Sequence, residues 1–256
     1  MPGLLKLYDL AVYLLSVPKC VYCGEILDFG DKALCKECLK LYNEQKLRNC
    51  SRCAKPIPEC TCSNFYLEKR RIKKLIKVYR YRGYTKDLRG NSLIFSLKED
   101  NRRDVFDFLS DELSASISMA FDPALERENI IITNVPRRQT SINDKGYDHA
   151  LVLAKRVAKK LGLRYESLLR SASDKAQKET RGRERIENAK YLPKRGKSIS
   201  LKGKTVILID DIVTTGSSMA ASGEVLHLLG AKRIVGACLA IAYRDSFIKP
   251  YRPLYN

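Results

Sequence analysis

The sequence has no apolar run approaching the ~20 residues that span a bilayer, no low-complexity segment, and few acids to set against its bases. The first absence disfavours a membrane-spanning chain. The opening stretch, residues 4–17, carries Lys6 and Asp9 and stops at Pro18 without a small-residue cleavage site. It reads as a short amphipathic helix and not as a signal peptide, so secretion is disfavoured and a cytoplasmic protein is expected. With 45% hydrophobic residues and a mean hydropathy of −0.30, the 256-residue chain can bury a core. That balance excludes wholesale disorder. Histidine is scarce as well: His149 reads equally as a surface residue at a helix start or as a catalyst, and His227 reads as structural.

The deficit of acids leaves a strong positive charge. Lys and Arg total 48 against 29 Asp and Glu, a formal +19. Such a field favours a polyanion or a phosphate-rich ligand. The charge is clustered. Residues 68–89 hold ten bases against two acids, and residues 170–204 hold twelve against four.

Cysteine is also concentrated. Eight of the nine cysteines fall as Cys20-x-x-Cys23, Cys35-x-x-Cys38, Cys50-x-x-Cys53 and Cys60-x-Cys62; Cys238 stands apart in an apolar run and reads as a core residue. A two-residue spacer lets one tight turn aim two thiolates at a single tetrahedral ion. Eight ligands therefore make two four-thiolate Zn²⁺ sites. Disulfides need an oxidising compartment, for which no export signal speaks, and an iron–sulfur cluster would need redox work to do. Closed sites leave no open coordination position, so the metal is structural, supplying folding energy to a head with little core. A weak repeat between residues 20–26 and 50–57 argues for sequential sites, Cys20/Cys23/Cys35/Cys38 and Cys50/Cys53/Cys60/Cys62. An interleaved cross-brace would use the same spacings.

Behind this head, residues 64–89 place Leu67, Ile72, Leu75, Ile76 and Tyr79 at helical spacing among dense bases. The spacing predicts a basic linking helix over 65–90. A helix follows over 104–119, and then strand–loop–helix alternation: strands at 129–134, 164–169, 205–209 and 233–241, helices at 148–161 and 217–229. That order is the signature of an α/β domain with a parallel sheet flanked by helices. The expected division is a cysteine-rich head over 1–64 and an α/β body over 65–256.

The sharpest motif is Val206-Ile207-Leu208-Ile209-Asp210-Asp211-Ile212-Val213-Thr214-Thr215-Gly216-Ser217-Ser218. A buried strand delivers two acids to its carboxyl end, where open α/β sheets bind ligands. The hydroxyl-rich turn behind them feeds a helix, so its amides form a phosphate cradle that Gly216 lets a ligand approach. Paired acids beside such a cradle suit vicinal sugar hydroxyls and Mg²⁺.

This run resembles the 5-phosphoribosyl-1-pyrophosphate (PRPP) motif of type I phosphoribosyltransferases. The resemblance implies that Thr214, Thr215, Gly216, Ser217 and Ser218 hold the 5′-phosphate and that Asp210 and Asp211 hold the ribose hydroxyls, with Mg²⁺ accompanying PRPP. By position, Pro136-Arg137-Arg138-Gln139 corresponds to the pyrophosphate loop, so Arg137 and Arg138 would neutralise pyrophosphate. The basic 170–204 stretch corresponds to the mobile loop, where Lys175 or Lys178 would act as a catalytic lysine. No acceptor-recognition segment is identifiable, and Thr214 stands where purine-salvage relatives of the hypoxanthine type place an aspartate.

Cysteine head and phosphate motif together resemble the ComF family, competence-associated proteins with a zinc-ribbon head and a phosphoribosyltransferase-like body. Tyr81-Arg82-Gly83, Gly146-Tyr147-Asp148-His149-Ala150, Gln177, Arg185 and Asn188 support the likeness; Asp148, His149 and Thr180 depart from it. The family implies a role in DNA uptake, with other DNA-uptake proteins and single-stranded DNA as partners. Phosphoribosyl transfer from PRPP to an acceptor would release pyrophosphate. A DNA-binding or PRPP-sensing protein without turnover is the alternative. Tyr66, Tyr79, Tyr81 and Tyr84 interleave with bases, and read equally as base-stacking groups or as covers for a helix contact.

Overall fold

The computed structural model describes residues 17–81, 89–100, 102–121, 127–137, 147–172, 191–194 and 200–242. The expected N-terminal helix, Arg138, Lys175 and Lys178 lie outside the described residues. In chain order the elements are α1 (Lys36–Lys46), α2 (Phe65–Lys69), β1 (Lys74–Tyr81), α3 (Arg89–Glu99), α4 (Arg103–Ala120) and β2 (Ile130–Asn134). They continue with α5 (His149–Leu161), β3 (Arg164–Tyr165), β4 (Leu169–Ser171), β5 (Tyr191–Pro193), β6 (Thr205–Val213), α6 (Ser217–Leu228) and β7 (Arg233–Ala242). Single 3-10 turns sit at Ile57–Glu59 and Arg127–Asn129.

Among the described residues, five parallel strands make the central sheet in the order β1-β7-β6-β2-β3, and β4 pairs with β5 antiparallel. The α/β class with a parallel sheet is as the alternation predicts. In β6, Ile207 and Ile209 enter a core with Leu109 and Leu113 of α4 and Leu153 and Val157 of α5. Their neighbours Val206 and Leu208 enter a second core with Met219, Ala220 and Leu226 of α6 and Leu67 of α2. Side chains alternate faces with period two, so a strand buried on both faces is apolar at every position. Helix α5 is bounded by readable signals. Asp148 accepts from Leu151 N at 3.0 Å as N-cap, and Gly162 closes the helix at φ 62°.

The basic linking helix expected over 65–90 is corrected by the structure. Helix α2 spans only five residues; Arg71 then turns the chain at φ 65°, and residues 74–81 form β1 at the sheet edge. Leu75, Ile76 and Tyr79 fit helical spacing, but pairing with β7 over Lys74↔Val235 to Tyr81↔Ala242 decides the conformation. The bases were the misleading signal. Lys77 is only 1% exposed because its face of the strand is covered by the cysteine head.

The head has α1 and little else that is regular. Leu27, Ala33, Leu34 and Tyr42 around its first cysteine pairs join the core under α4, and Lys46 pairs with Glu112 of α4 at 2.6 Å.

Candidate functional site

Strands β6 and β2 are neighbours, yet β6 leads to β7 on one side while β2 leads to β3 on the other. Ligands bind at such a switch point, outside the carboxyl ends of the strands. Asp210 and Asp211 stand there on β6. They lie inside the strand, which runs to Val213 and not to the expected Ile209. Each side chain is held by a local backbone donor: Asp211 N donates to Asp210 Oδ1 at 2.9 Å, and Ile212 N to Asp211 Oδ1 at 2.7 Å. Burial, and then the charge of Asp211, push the Asp210 carboxyl well above the usual carboxylate range.

Asp211 Oδ2 is buried and accepts no hydrogen bond from the described residues. Two cations face it: Arg137 at 3.8 Å and Lys98 at 3.7 Å. Arg137 lies just past the end of β2 and is itself held in place. Its Nη1 reaches Tyr147 O at 3.3 Å and His149 Nδ1 at 3.0 Å, and its backbone N–H donates to Asp148 Oδ2 at 3.4 Å. The cap of α5 therefore also orients the arginine. His149 is buried and stacks on Phe106, so it is not a surface residue. Sequence reading missed Lys98, a base in the last turn of α3 with no local mark.

The turn after β6 has the form that its residues predict. Thr214 and Thr215 are exposed, and Gly216 caps α6 at φ 85°, a left-handed conformation that favours glycine. Ser217 N donates to Thr215 Oγ1 at 3.3 Å, and that hydroxyl lies 3.2 Å from Ser217 Oγ. Ser217 and Ser218 open the first turn of α6, whose N-terminal amides carry partial positive charge. The structure thus brings together Asp210, Asp211, Arg137 and the turn at 214–218.

The eight head cysteines form two sequential quartets, Cys20/Cys23/Cys35/Cys38 and Cys50/Cys53/Cys60/Cys62. Within each, all four sulfurs lie within 4.8 Å of one another, and Cys23 Sγ is 3.7 Å from Cys35 Sγ. A tetrahedral ion with ~2.3 Å thiolate bonds has edges of about 3.8 Å. The donor sets fit such an ion. Burial raises the Cys20 and Cys50 thiols, but backbone N–H donors outweigh it and bring them to about 7 and about 6. Lys77 supplies a further test of fit. Its ammonium donates to Cys60 Sγ at 3.2 Å and to the carbonyls of Cys60, Cys62 and Leu75 at 3.0, 2.9 and 3.2 Å. No carboxylate among the described residues pairs with it, and a buried charge needs a counter-charge. Four thiolates around a divalent ion supply one.

Residues 148–253 match the phosphoribosyl transferase domain family. Residues 148–253 therefore resemble a phosphoribosyl transferase domain, and they supply β3, β6 and β7 of the five-stranded parallel sheet. The chain is 32% identical over 118 residues to a ribose-phosphate pyrophosphokinase of Sulfolobus acidocaldarius, covering 46% of this chain and 35% of that protein. A ribose-phosphate pyrophosphokinase of Pyrococcus abyssi is 36% identical over 91 residues, covering 36% of this chain and 26% of its own. The chain thus spans about a third or less of the length of these curated relatives. Among solved structures, a purine phosphoribosyltransferase from Pyrococcus horikoshii overlaps 55% of this chain and 74% of its own, at 22% identity and a TM-score of 0.34. A hypoxanthine phosphoribosyltransferase from Staphylococcus aureus overlaps 55% and 67%, at 13% identity and a TM-score of 0.33.

Proposed function

We propose that the phosphoribosyl transferase domain binds PRPP with Mg²⁺ at the carboxyl ends of β6 and β2. The observation that carries this reading is the meeting of Arg137 with Asp211, 3.8 Å apart, beside the hydroxyl-rich turn. Amides and hydroxyls of Thr214–Ser218 hold the 5′-phosphate, and Asp210 and Asp211 take the ribose hydroxyls. Arg137, with Arg138 beside it in sequence, neutralises the pyrophosphate. Asp211 Oδ2, buried without a hydrogen bond, is an acceptor for a sugar hydroxyl or for the ion that accompanies PRPP.

Transfer breaks the bond from ribose C1 to the pyrophosphate oxygen, which leaves with the electron pair. A nucleophile of the acceptor forms the new bond to C1. The protein's share is orientation and stabilisation of charge on the leaving group. Calorimetric titration of PRPP with Mg²⁺ tests the reading: wild type binds, and Asp210→Asn with Asp211→Asn loses binding. Absence of binding by well-folded wild type would leave the motif as scaffold only.

The two quartets are proposed to hold structural Zn²⁺, each closed by four protein ligands. A cysteine head before this domain, together with the +19 charge, supports a ComF-type cytoplasmic protein of DNA uptake. That assignment requires single-stranded oligonucleotide binding that weakens as salt rises. Binding of PRPP without oligonucleotide binding would favour a PRPP-sensing or metabolic role. No helix among the described residues is long and apolar enough to cross a membrane.

A further inference from the structure

The second cysteine quartet and the phosphate turn are far apart in sequence and joined in space. Two residues past Cys62, Asn64 uses both ends of its amide. Its Oδ1 accepts from Leu67 N at 2.8 Å, capping α2, and its Nδ2 donates to Thr215 O at 3.2 Å. Leu67, fully buried, packs against the same turn: a Cβ placed on Gly216 would lie 2.8 Å from Leu67 Cγ. One side of the turn is therefore made by the residues that follow the quartet.

The quartet is itself fixed to the sheet. Lys77 on β1 binds Cys60 and Cys62, and Leu75 N donates to Thr61 O at 3.0 Å. Arg52, between two of the ligands, reaches Glu68 of α2 at 2.8 Å. The path from ligand to turn is short and bonded at each step. Among the described residues the first quartet has no such path; its surroundings pack under α4, in the core that holds Ile207 and Ile209.

We infer that the second cysteine centre positions the phosphate-binding turn, with Asn64 and Leu67 as the positioning residues, whereas the first centre does not. The inference rests on the phosphoribosyl and zinc readings above for its functional meaning, and on the contacts of Asn64 and Leu67 for its mechanism. Metal at Cys50/Cys53/Cys60/Cys62 holds the chain that leads into Asn64. When that centre opens, the Asn64 amide and the Leu67 side chain lose their alignment on Thr215 and Gly216, and the turn loosens.

The test compares one ligand variant of each centre, Cys53→Ser and Cys23→Ser, with two tether variants, Asn64→Ser and Leu67→Ala, in the full chain. Zinc content, PRPP–Mg²⁺ affinity and ¹⁵N order parameters of residues 214–218 are read for each. Cys53→Ser should lose one zinc equivalent, weaken PRPP about fivefold or more, and lower the turn's order parameters from about 0.85 toward 0.6. Cys23→Ser should lose one equivalent and leave both other readouts unchanged. The tether variants should keep both zinc equivalents while loosening the turn. Equal effects of Cys53→Ser and Cys23→Ser would overturn the inference, as would tether variants with an unchanged turn. If Cys53→Ser does not fold, Lys77→Met, which removes the bonds to Cys60 and Cys62, takes its place with the same loosening of the turn expected, and an unchanged turn overturns the inference. If wild type fails to bind PRPP, the phosphoribosyl reading falls, and the order parameters still decide whether the second centre positions the turn.

Discussion

The ammonium of Lys77 lies 3.2 Å from Cys60 Sγ, so a base of the parallel sheet's edge strand is bound to a ligand of the head's second cysteine quartet. Hydrogen bonds to ligating sulfur orient the ligand and temper its charge. Lys77→Met keeps most of the apolar stem but removes the ammonium, whose three N–H donors serve four acceptors. We expect the zinc proposed for the second quartet to pass to a chromophoric chelator at least several-fold faster, with that proposed for the first unaffected. Carbonyls left unpaired lower stability by about 1–3 kcal/mol, read by urea unfolding.

Gly216→Ala places a Cβ at φ 85° and against Leu67. The backbone conformation alone costs about 1–2 kcal/mol, and the contact at 2.8 Å forces Leu67 or the turn to move. The expected outcome is a lower midpoint of thermal unfolding and loss of PRPP binding in calorimetry. A protein that bound PRPP as wild type does would remove the turn from the site.

Arg137 separates two parts of the proposed ligand. Arg137→Ala should weaken PRPP and pyrophosphate, while ribose 5-phosphate, which has no pyrophosphate, binds nearly unchanged. Competition titrations with the three ligands check this. Asp148→Ala should reproduce a milder form of the same pattern, since Asp148 accepts from Arg137 N, and should cost about 1 kcal/mol through the lost cap of α5.

Cysteine reactivity distinguishes the quartets from the core. Cys238 is fully buried in the sheet, and burial pushes its thiol up to about 12. In native protein treated with chelator, a chromogenic disulfide should modify the eight head cysteines at pH 8 and leave Cys238 silent until denaturant is added. Modification of Cys238 in the native state would show that the sheet opens when metal leaves.

The motif at 206–218 was legible because strand, acids, turn and helix start are all local: apolar residues, then small polar ones, then a glycine that tolerates φ 85°. The clustering of eight cysteines was legible for the same reason, through spacings that one turn can satisfy. The weak repeat favoured sequential pairing of the quartets, although the spacings alone also allowed an interleaved one. Spacing constrains neighbours within a turn, whereas the folded head decides which pairs converge, and here they converge sequentially. The conformation of residues 74–81 was likewise decided at a distance. Their apolar positions fit a helix, but an open edge of β7 offered a row of backbone partners, and a buried Lys77 became tolerable only because Cys60 and Cys62 sit over it. Lys98 facing Asp211, and Asn64 holding Thr215, belong to the same class. The sequence by itself determined the glycine turn after β6 and the clustering of eight cysteines in the head, since short-range geometry suffices for both. Only the tertiary structure decided which cysteines converge and which residues from elsewhere in the chain stand beside Asp211 and the turn, because those choices follow from packing between distant segments.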